Sequence, residues 1–431
     1  MATLDLSLDQ ITKIEGHATL KIKAVDGVVD KCEFSIAEFK RFYTKALQGK
    51  VIQAVPALVS RICGTCSNAH LLCSLQAVED SQGIIVSDQT KTIRKLLNHG
   101  LIIRDHALHL YIFSLPDLYN RDSIFAFDET NPDEKELLKD ALSVKEAGNQ
   151  LAIWSGGRSV HAMNLAVGGF SKLPVSGKQE ELIQQLEAIR PRVLKLIQIF
   201  KDCPFTQEED FSYSALQSNS YSYLSGDIIK ANGGTVPAKE YSKHLEHVVI
   251  PYSQAAGYKF NGKIFMVGAI SRVNLNKEYL HENTQRDASS ALALFPSKNL
   301  YHNNVAQAIE ILNSIDESID TLRMLSIRDE KPVTKPPQQG VGVGVIEAPR
   351  GTLYHRYHVN EKGMIERTRI IVPTGQNQVA IEQSLIHLAQ SHSELLNEEG
   401  KEKISFEFEK LIRAYDPCMS CASHFLKILY N

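Results

Sequence analysis

The sequence predicts a mainly α-helical chain with small β-hairpins, an α+β fold built round a bundle of long helices. Three observations predict it. Apolar residues recur at spacings of three and four over several long stretches. Two short segments alternate apolar and polar residues around glycine-bearing turns. The 43% hydrophobic content over 431 residues is enough to bury a large core. No repeat, low-complexity tract or convincing linker divides the chain, so residues 1–431 read as one domain.

The elements follow in order. Residues 18–37 form a hairpin: Leu20, Ile22 and Ala24 alternate with polar neighbours, Asp26-Gly27 is the turn, and Cys32, Phe34 and Ile36 alternate again. An apolar run, Ala54 to Val59, gives way to a helical pattern beginning near Ser67. Helical periodicity runs through 88–115, 177–201, 303–325, 376–392 and 402–414, and Pro191 is expected to kink or end the second of these. In 303–325, Val305, Ile309, Leu312, Ile315, Ile319 and Leu322 make one apolar stripe. A second hairpin pairs Thr352–Val359 with Met364–Val372 across Glu361-Lys362-Gly363, so Arg350 and Pro373-Thr374 fall at its two ends. The Gly- and Pro-containing stretches 203–238 and 328–345 read as loops or small excursions.

Lys+Arg 47 against Asp+Glu 50 leaves a net charge of −3, so no nucleic acid or anionic membrane surface is expected as a partner. The first ten residues lack the basic and apolar stretches of a signal peptide, and no apolar run of about 18 residues marks a transmembrane segment. A cytoplasmic location is expected.

Two Cys-x-x-Cys pairs stand far apart: Arg61-Ile62-Cys63-Gly64-Thr65-Cys66 with His70, and Asp416-Pro417-Cys418-Met419-Ser420-Cys421 with His424. Four converging thiolates make a transition-metal site, and the fold must then bring the two ends of the chain together at it. Cys63 and Cys66 fall at a turn before a helix, where free amides and the helix dipole favour thiolate over thiol. On the pairs alone, structural zinc is an equal reading. Cys32, Cys73 and Cys203 stand alone and read as small buried hydrophobes of a reducing compartment.

The double pattern resembles the large subunit of nickel-iron hydrogenases, whose signatures R-x-C-G-x-C-x-x-x-H and D-P-C-x-x-C-x-x-H are both matched in full. The resemblance continues through Ile14-Glu15-Gly16-His17, Asp105-His106, Gly156-Gly157-Arg158 with His161, Gly168-Gly169, Glu347-Ala348-Pro349-Arg350-Gly351 and Pro373-Thr374 with Asn377. It implies the long-helix bundle of that subunit, with a C-terminal metal-binding segment at 416–424. Cys63, Cys66, Cys418 and Cys421 would then hold nickel, and Cys66 and Cys421 would bridge to an iron carrying carbon monoxide and two cyanides. Arg350, Pro349 and Thr374 match the positions that surround those diatomic ligands, and Asp105 and Asp416 match the acids beside the arginine. Without the family, Asp105 could pair with His109 one helical turn on, and Asp416 could be a turn former before Pro417.

Heterolytic cleavage of H2 needs a base, for which Cys418 is placed, and Glu15 matches the family's first proton acceptor; its bland alternative is an exposed Glu before a strand. His70, His161 and His17 read as packed, hydrogen-bonded histidines supporting the site.

Departures from the family pattern are local. Lys13 replaces an expected Arg, and Arg41-Phe42-Tyr43-Thr44 lacks the glutamate that, with the C-terminal histidine His424, helps hold a second structural cation, magnesium or iron. Thr44 thus removes one carboxylate from that second site. Phe425 to Asn431 follow the final histidine, where family precursors are trimmed, so the sequence reads as a precursor or as one that keeps a short tail.

The remaining cysteines, Cys32, Cys73 and Cys203, do not form a ferredoxin-like arrangement. The resemblance therefore implies an iron-sulfur small subunit, further flavin- or iron-sulfur-containing electron-transfer subunits, and H2 as substrate. His106–Tyr111, Met266–Arg272 and Arg413–Asp416 look most like the cytoplasmic NAD(P)-coupled or sulfur-reducing branch. The alternatives are a deazaflavin-reducing or heterodisulfide-reductase-linked subunit, and a non-catalytic sensor or zinc-binding homologue.

Overall fold

A computed structural model describes residues 3–39, 42–230 and 234–423. Its helices are α1 (Ser67–Ser81), α2 (Asp88–Ala107), α3 (Pro132–Gly156), α4 (Gln179–Lys201), α5 (Ala269–Asn276), α6 (His302–Met324), α7 (Pro373–Ser391) and α8 (Lys401–Ala414), with shorter turns between them. The bundle core is made by α2 along α3, by α4 along α6 and α3, and by α6 against α2. Apolar stripes at helical spacing do this: in α6, Val305, Ile309, Leu312 and Ile315 are wholly buried. The expected α+β class is the observed one.

Three periodicity readings change. The helix α3 buries a stripe of Leu137, Ala141, Val144, Gly148 and Leu151, blurred in the sequence by small residues, by buried Glu134 and Asp140 and by exposed Leu142 and Ile153. Its punctuation is clear instead: Asn131 caps it by accepting from the Asp133 amide, Pro132 opens it and Gly157 ends it with φ of 85°. Pro191 does not end α4, which continues to Lys201. Pro191 and Glu187, whose carbonyl loses its intrahelical partner, are both on the exposed face, where water can serve it, while Leu186, Ile189 and Val193 hold the buried side. After Ala107 the helix widens to a π-helix over Leu108–Ser114.

The N-terminal hairpin appears as β2 (Ala18–Val25) and β3 (Val28–Ile36), with Asp26 and Gly27 at φ of 51° and 77°, the signs a two-residue primed turn demands. An unforeseen strand β1 (Thr3–Leu8) pairs with β2. The second hairpin is also a three-stranded antiparallel sheet, in the order β4 (Gly340–Ala348), β5 (Gly351–Val359), β6 (Ile365–Ile371).

Both expected loop stretches hold strands. In 203–238, Ser212–Gln217, Asp227–Lys230 and Thr235–Val236 join Phe265–Met266 in a four-stranded sheet. In 328–345 the Gly-Val repeat at 340–345 is β4, laid on α1. A β-carbon at Gly342 would lie 1.9 Å from the Ala77 carbonyl oxygen, and one at Gly344 2.1 Å from that of Cys73. The glycines there serve close approach of strand to helix, not chain flexibility.

Candidate metal centre

Cys63 closes a 3-10 turn, Ser60–Ile62, and Cys66 is the residue that caps α1, so the first pair stands at a helix start as expected. The Cys66 amide donates to Cys63 Sγ at 3.4 Å. The second pair is delivered by the chain after α8. There Asp416 turns the backbone with φ of 49°, the Met419 amide donates to the Glu15 carbonyl at 2.8 Å, and the Cys418 amide donates to the Thr374 hydroxyl at 2.9 Å. Residues 355 positions apart thereby meet: Cys63 Sγ lies 3.5 Å from Cys418 Sγ, and Cys66 Sγ 3.1 Å from Cys421 Sγ. All four sulfurs are buried and within 4.8 Å of one another.

The spacing is that of metal ligands, far beyond the ~2.05 Å of a disulfide. Crowding shapes their protonation. Hydrogen bonds from Cys418, Cys421 and Cys66 hold Cys63 well below the ordinary thiol range. Cys66 stands at about 11: bonds with Cys418 and Cys421 favour its thiolate, but its bond with Cys63 and its burial outweigh them. Burial pushes Cys418 and Cys421 well up. Four thiolates in one dry pocket need a cation among them, so the donor set fits a soft transition metal.

Arg350 leans over the cluster from the tip of the β4–β5 hairpin, where Ala348 pairs with Gly351. Its Nη1 donates to Asp105 at 2.8 Å and its Nε to Asp416 at 3.1 Å, with all three side chains buried. Burial opposes the Arg350 charge, but the two carboxylates hold its pKa well above the ordinary value. Burial raises Asp105 against the pull of Arg350. Arg350 Nη2 lies 3.0 Å from Asp416 Oδ1 in an ion pair, while Asp105 Oδ1 is buried without a hydrogen-bond partner and could receive a polar guest.

Asp416 does two jobs at once: it makes the turn and it receives Arg350, along with Gln307 Nε2 at 2.8 Å. Asp105 does not pair with His109. The π-helix carries His109 away, to Gln307 Oε1 at 2.6 Å and the Arg413 carbonyl at 2.8 Å.

Glu15 stands before the strand β2, as expected, but it is not exposed: it bridges to Cys418, whose Sγ donates to its carboxylate at 2.9 Å. Ser420 Oγ donates to the same carboxylate at 2.7 Å. Burial raises the Glu15 pKa. His70 is buried with Nδ1 3.2 Å from His355 Nε2, the His161 amide donates to Ser67 Oγ at 2.9 Å, and His17 is exposed. Pro349 is at the hairpin tip beside Arg350. His424 and the tail after it lie outside the described residues, as does Arg41. Cys73 is buried as expected, while Cys32 and Cys203 are only half-buried.

The nickel-dependent hydrogenase family matches residues 41–136 and 232–424. The alpha subunit of sulfhydrogenase 2 from Pyrococcus furiosus is 32% identical over 98% of this chain and 100% of its own length. The chain belongs to the nickel-dependent hydrogenase family. The beta subunit of the NAD-reducing hydrogenase HoxS of Cupriavidus necator is 27% identical over 98% of this chain and 95% of its own. The crystal structure of an NAD+-reducing NiFe hydrogenase superposes with a TM-score of 0.85 at 24% identity, covering 98% of this chain and 100% of that one, so the fold is shared. The protein is thus the large, catalytic subunit of a nickel-iron hydrogenase, of the type that includes the sulfhydrogenases and NAD-reducing enzymes.

Several residues of the site escaped the sequence reading. Ser420, Gln307 and Arg104, whose guanidinium donates to the Thr65 carbonyl, became visible only when α2, α6 and the chain ends met. Ser420 and Arg104 lie inside or beside matched motifs; Gln307 carries no local signal.

Among the described residues no helix is long and apolar enough to cross a membrane.

Proposed function

We propose that this subunit splits H2 reversibly and heterolytically in the cytoplasm, passing electrons to an iron-sulfur small subunit and onward, through flavin- or iron-sulfur-containing subunits, to NAD(P) or a similar soluble acceptor. Bound nickel and iron, the iron carrying CO and two CN ligands, would supply the Lewis acidity that polarises H2. Cys63, Cys66, Cys418 and Cys421 would hold them. The observation that carries the reading is the Cys418 Sγ contact with Glu15 at 2.9 Å, on the edge of a four-thiolate cluster roofed by Arg350.

Each role follows from the chain's own groups. Cys418 receives the proton, and Glu15, one hydrogen bond away and steadied by Ser420, takes it outward. Arg350, its charge held in place by Asp105 and Asp416, supplies a buried guanidinium beside the anionic diatomic ligands, Pro349 gives them a dry apolar wall, and Thr374 keeps a hydroxyl proton to donate while accepting from Cys418. Asp105 and Asp416 fix the guanidinium plane. Electrons leave where Ala57, Leu58, Arg61 and Met163 are exposed around the Cys63 turn, a patch suited to a docked small subunit.

Metal analysis of the purified complex tests the reading. Nickel and iron near one each, with infrared bands between the protein and water absorptions, support it. Zinc alone would end it.

A further inference from the structure

Arg350 is carried by a hairpin tip, and a tip of two residues is held by little of its own. Behind it lies a buried cluster that the proposed chemistry does not use. Arg272, at the middle of α5, is 1% exposed, and all five of its N–H groups are spent. Nε and Nη2 donate to the two oxygens of Glu310 at 2.6 and 2.7 Å. Nη1 donates to Glu347 at 2.9 Å and to the Ala348 carbonyl at 3.0 Å, and Nη2 donates to the Pro349 carbonyl at 2.8 Å. One guanidinium thus takes both carbonyls that precede Arg350.

Glu310 on α6 is equally saturated, receiving Tyr221 Oη at 2.6 Å and His106 Nε2 at 2.8 Å besides Arg272. Burial opposes its charge, yet Arg272 and His106 pull its pKa down to about 2. His106 follows Asp105 in α2, and Asp105 receives Arg350. A closed ring results: Arg350 to Asp105, along the backbone to His106, to Glu310, to Arg272, to the Pro349 carbonyl, and back to Arg350.

We propose that Arg272 and Glu310 are positioning residues of the hydrogen-converting site, locking the Pro349-Arg350 tip and α2 into one register so that the Arg350 guanidinium keeps its place over the four cysteines. A salt bridge kept only for stability has no need of the two carbonyls. A buried ionic cluster also contributes little net stability compared with apolar packing, so its saturated geometry argues for specification of position. Lysine could keep the charge of Arg272 but supplies three donors on a single nitrogen and cannot span Glu310 and the tip together. This inference rests on the role proposed for Arg350.

The test uses the assembled complex carrying Arg272→Lys, Glu310→Gln and, separately, Arg350→Lys, with Tyr221→Phe as a control that removes one Glu310 contact but none of the bonds that Arg272 makes. Infrared spectra of the loaded centre, kcat and KM for H2, and thermal unfolding are read for each. Positioning predicts shifted or split diatomic bands and kcat lower by about tenfold or more in Arg272→Lys or Glu310→Gln, with cooperative unfolding retained and Tyr221→Phe near wild type. Should Arg272→Lys fail to fold, Glu310→Gln decides alone, since it keeps side-chain volume and one acceptor. Wild-type bands and kcat in a folded variant of either residue, with Arg350→Lys impaired, overturn the positioning inference only. Wild-type behaviour of Arg350→Lys itself overturns the role of Arg350.

Discussion

The two halves of the metal site are built in opposite ways. The Cys63–Cys66 half is local: a 3-10 turn, an amide on Cys63 Sγ and a helix start define it within a few residues, and α1 is buried along most of its length. The Cys418–Cys421 half is almost wholly non-local. Its amides go to Glu15 and Thr374, its serine to Glu15 and its aspartate to Arg350 and Gln307, at sequence separations from 44 to 405. A third bond set ties the same strands together further out, where Asp117 receives Lys13 at 2.6 Å and Arg413 at 2.6 and 3.0 Å. Lys13 leads to Glu15 and Arg413 to Asp416, so one carboxylate holds both approaches to the edge where Glu15 meets Cys418. A local half is ready once its helix forms, whereas the other half pays loop-closure entropy over nearly the whole chain and forms only with the global fold.

The largest effect should come from breaking the ligand set in either half. Cys66→Ser and Cys421→Ser are each expected to abolish nickel and iron retention and all activity, measured by metal content and infrared spectra, because neighbouring thiolates cannot replace a missing one in fixed geometry. A half-site that tolerates the change, keeping full metal, would show the two halves unequal in binding as well as in construction.

Arg350→Lys strikes the contact joining the halves. Charge remains, but the planar fork that reaches Asp105 and Asp416 together is lost. The centre should still assemble, with infrared bands present, while turnover collapses.

Next comes Glu15→Gln, which preserves volume and the backbone bond to Met419 but removes the carboxyl proposed to cycle a proton. Turnover in both directions should fall by about 10²-fold with the diatomic bands little changed. Hydrogen–deuterium exchange, which needs proton exit but no electron partner, should fall with it; exchange at the wild-type rate would move the lesion to the electron path.

The mildest effect on chemistry is expected from Asp117→Asn, which leaves Lys13 and Arg413 sharing a neutral amide, with Glu409 still paired to Arg413. Unfolding free energy should drop by about 3 kcal/mol, seen as earlier thermal unfolding, with turnover reduced only several-fold. A loss as deep as that of Glu15→Gln would mean that the outer clamp also sets the distance from Cys418 to Glu15.

By itself the sequence determined the long helices with clean stripes, the hairpin at Asp26-Gly27, the four cysteines and the family motifs that mark Glu15, Asp105, Arg350 and Asp416. These are signals that local chemistry must satisfy: apolar spacing, turn dihedrals, soft ligands in pairs. Tertiary structure decided the rest. Glycines 342 and 344 mean a strand only because α1 lies against them, and Pro191 is tolerated only because its face of α4 meets water. His109 turns from Asp105 to Gln307 only because the π-helix redirects it. Arg272, Glu310 and Asp117 look like ordinary charged residues in the sequence, since a buried ion network is created by distant segments meeting in a dry interior, and no local pattern records which segments those will be.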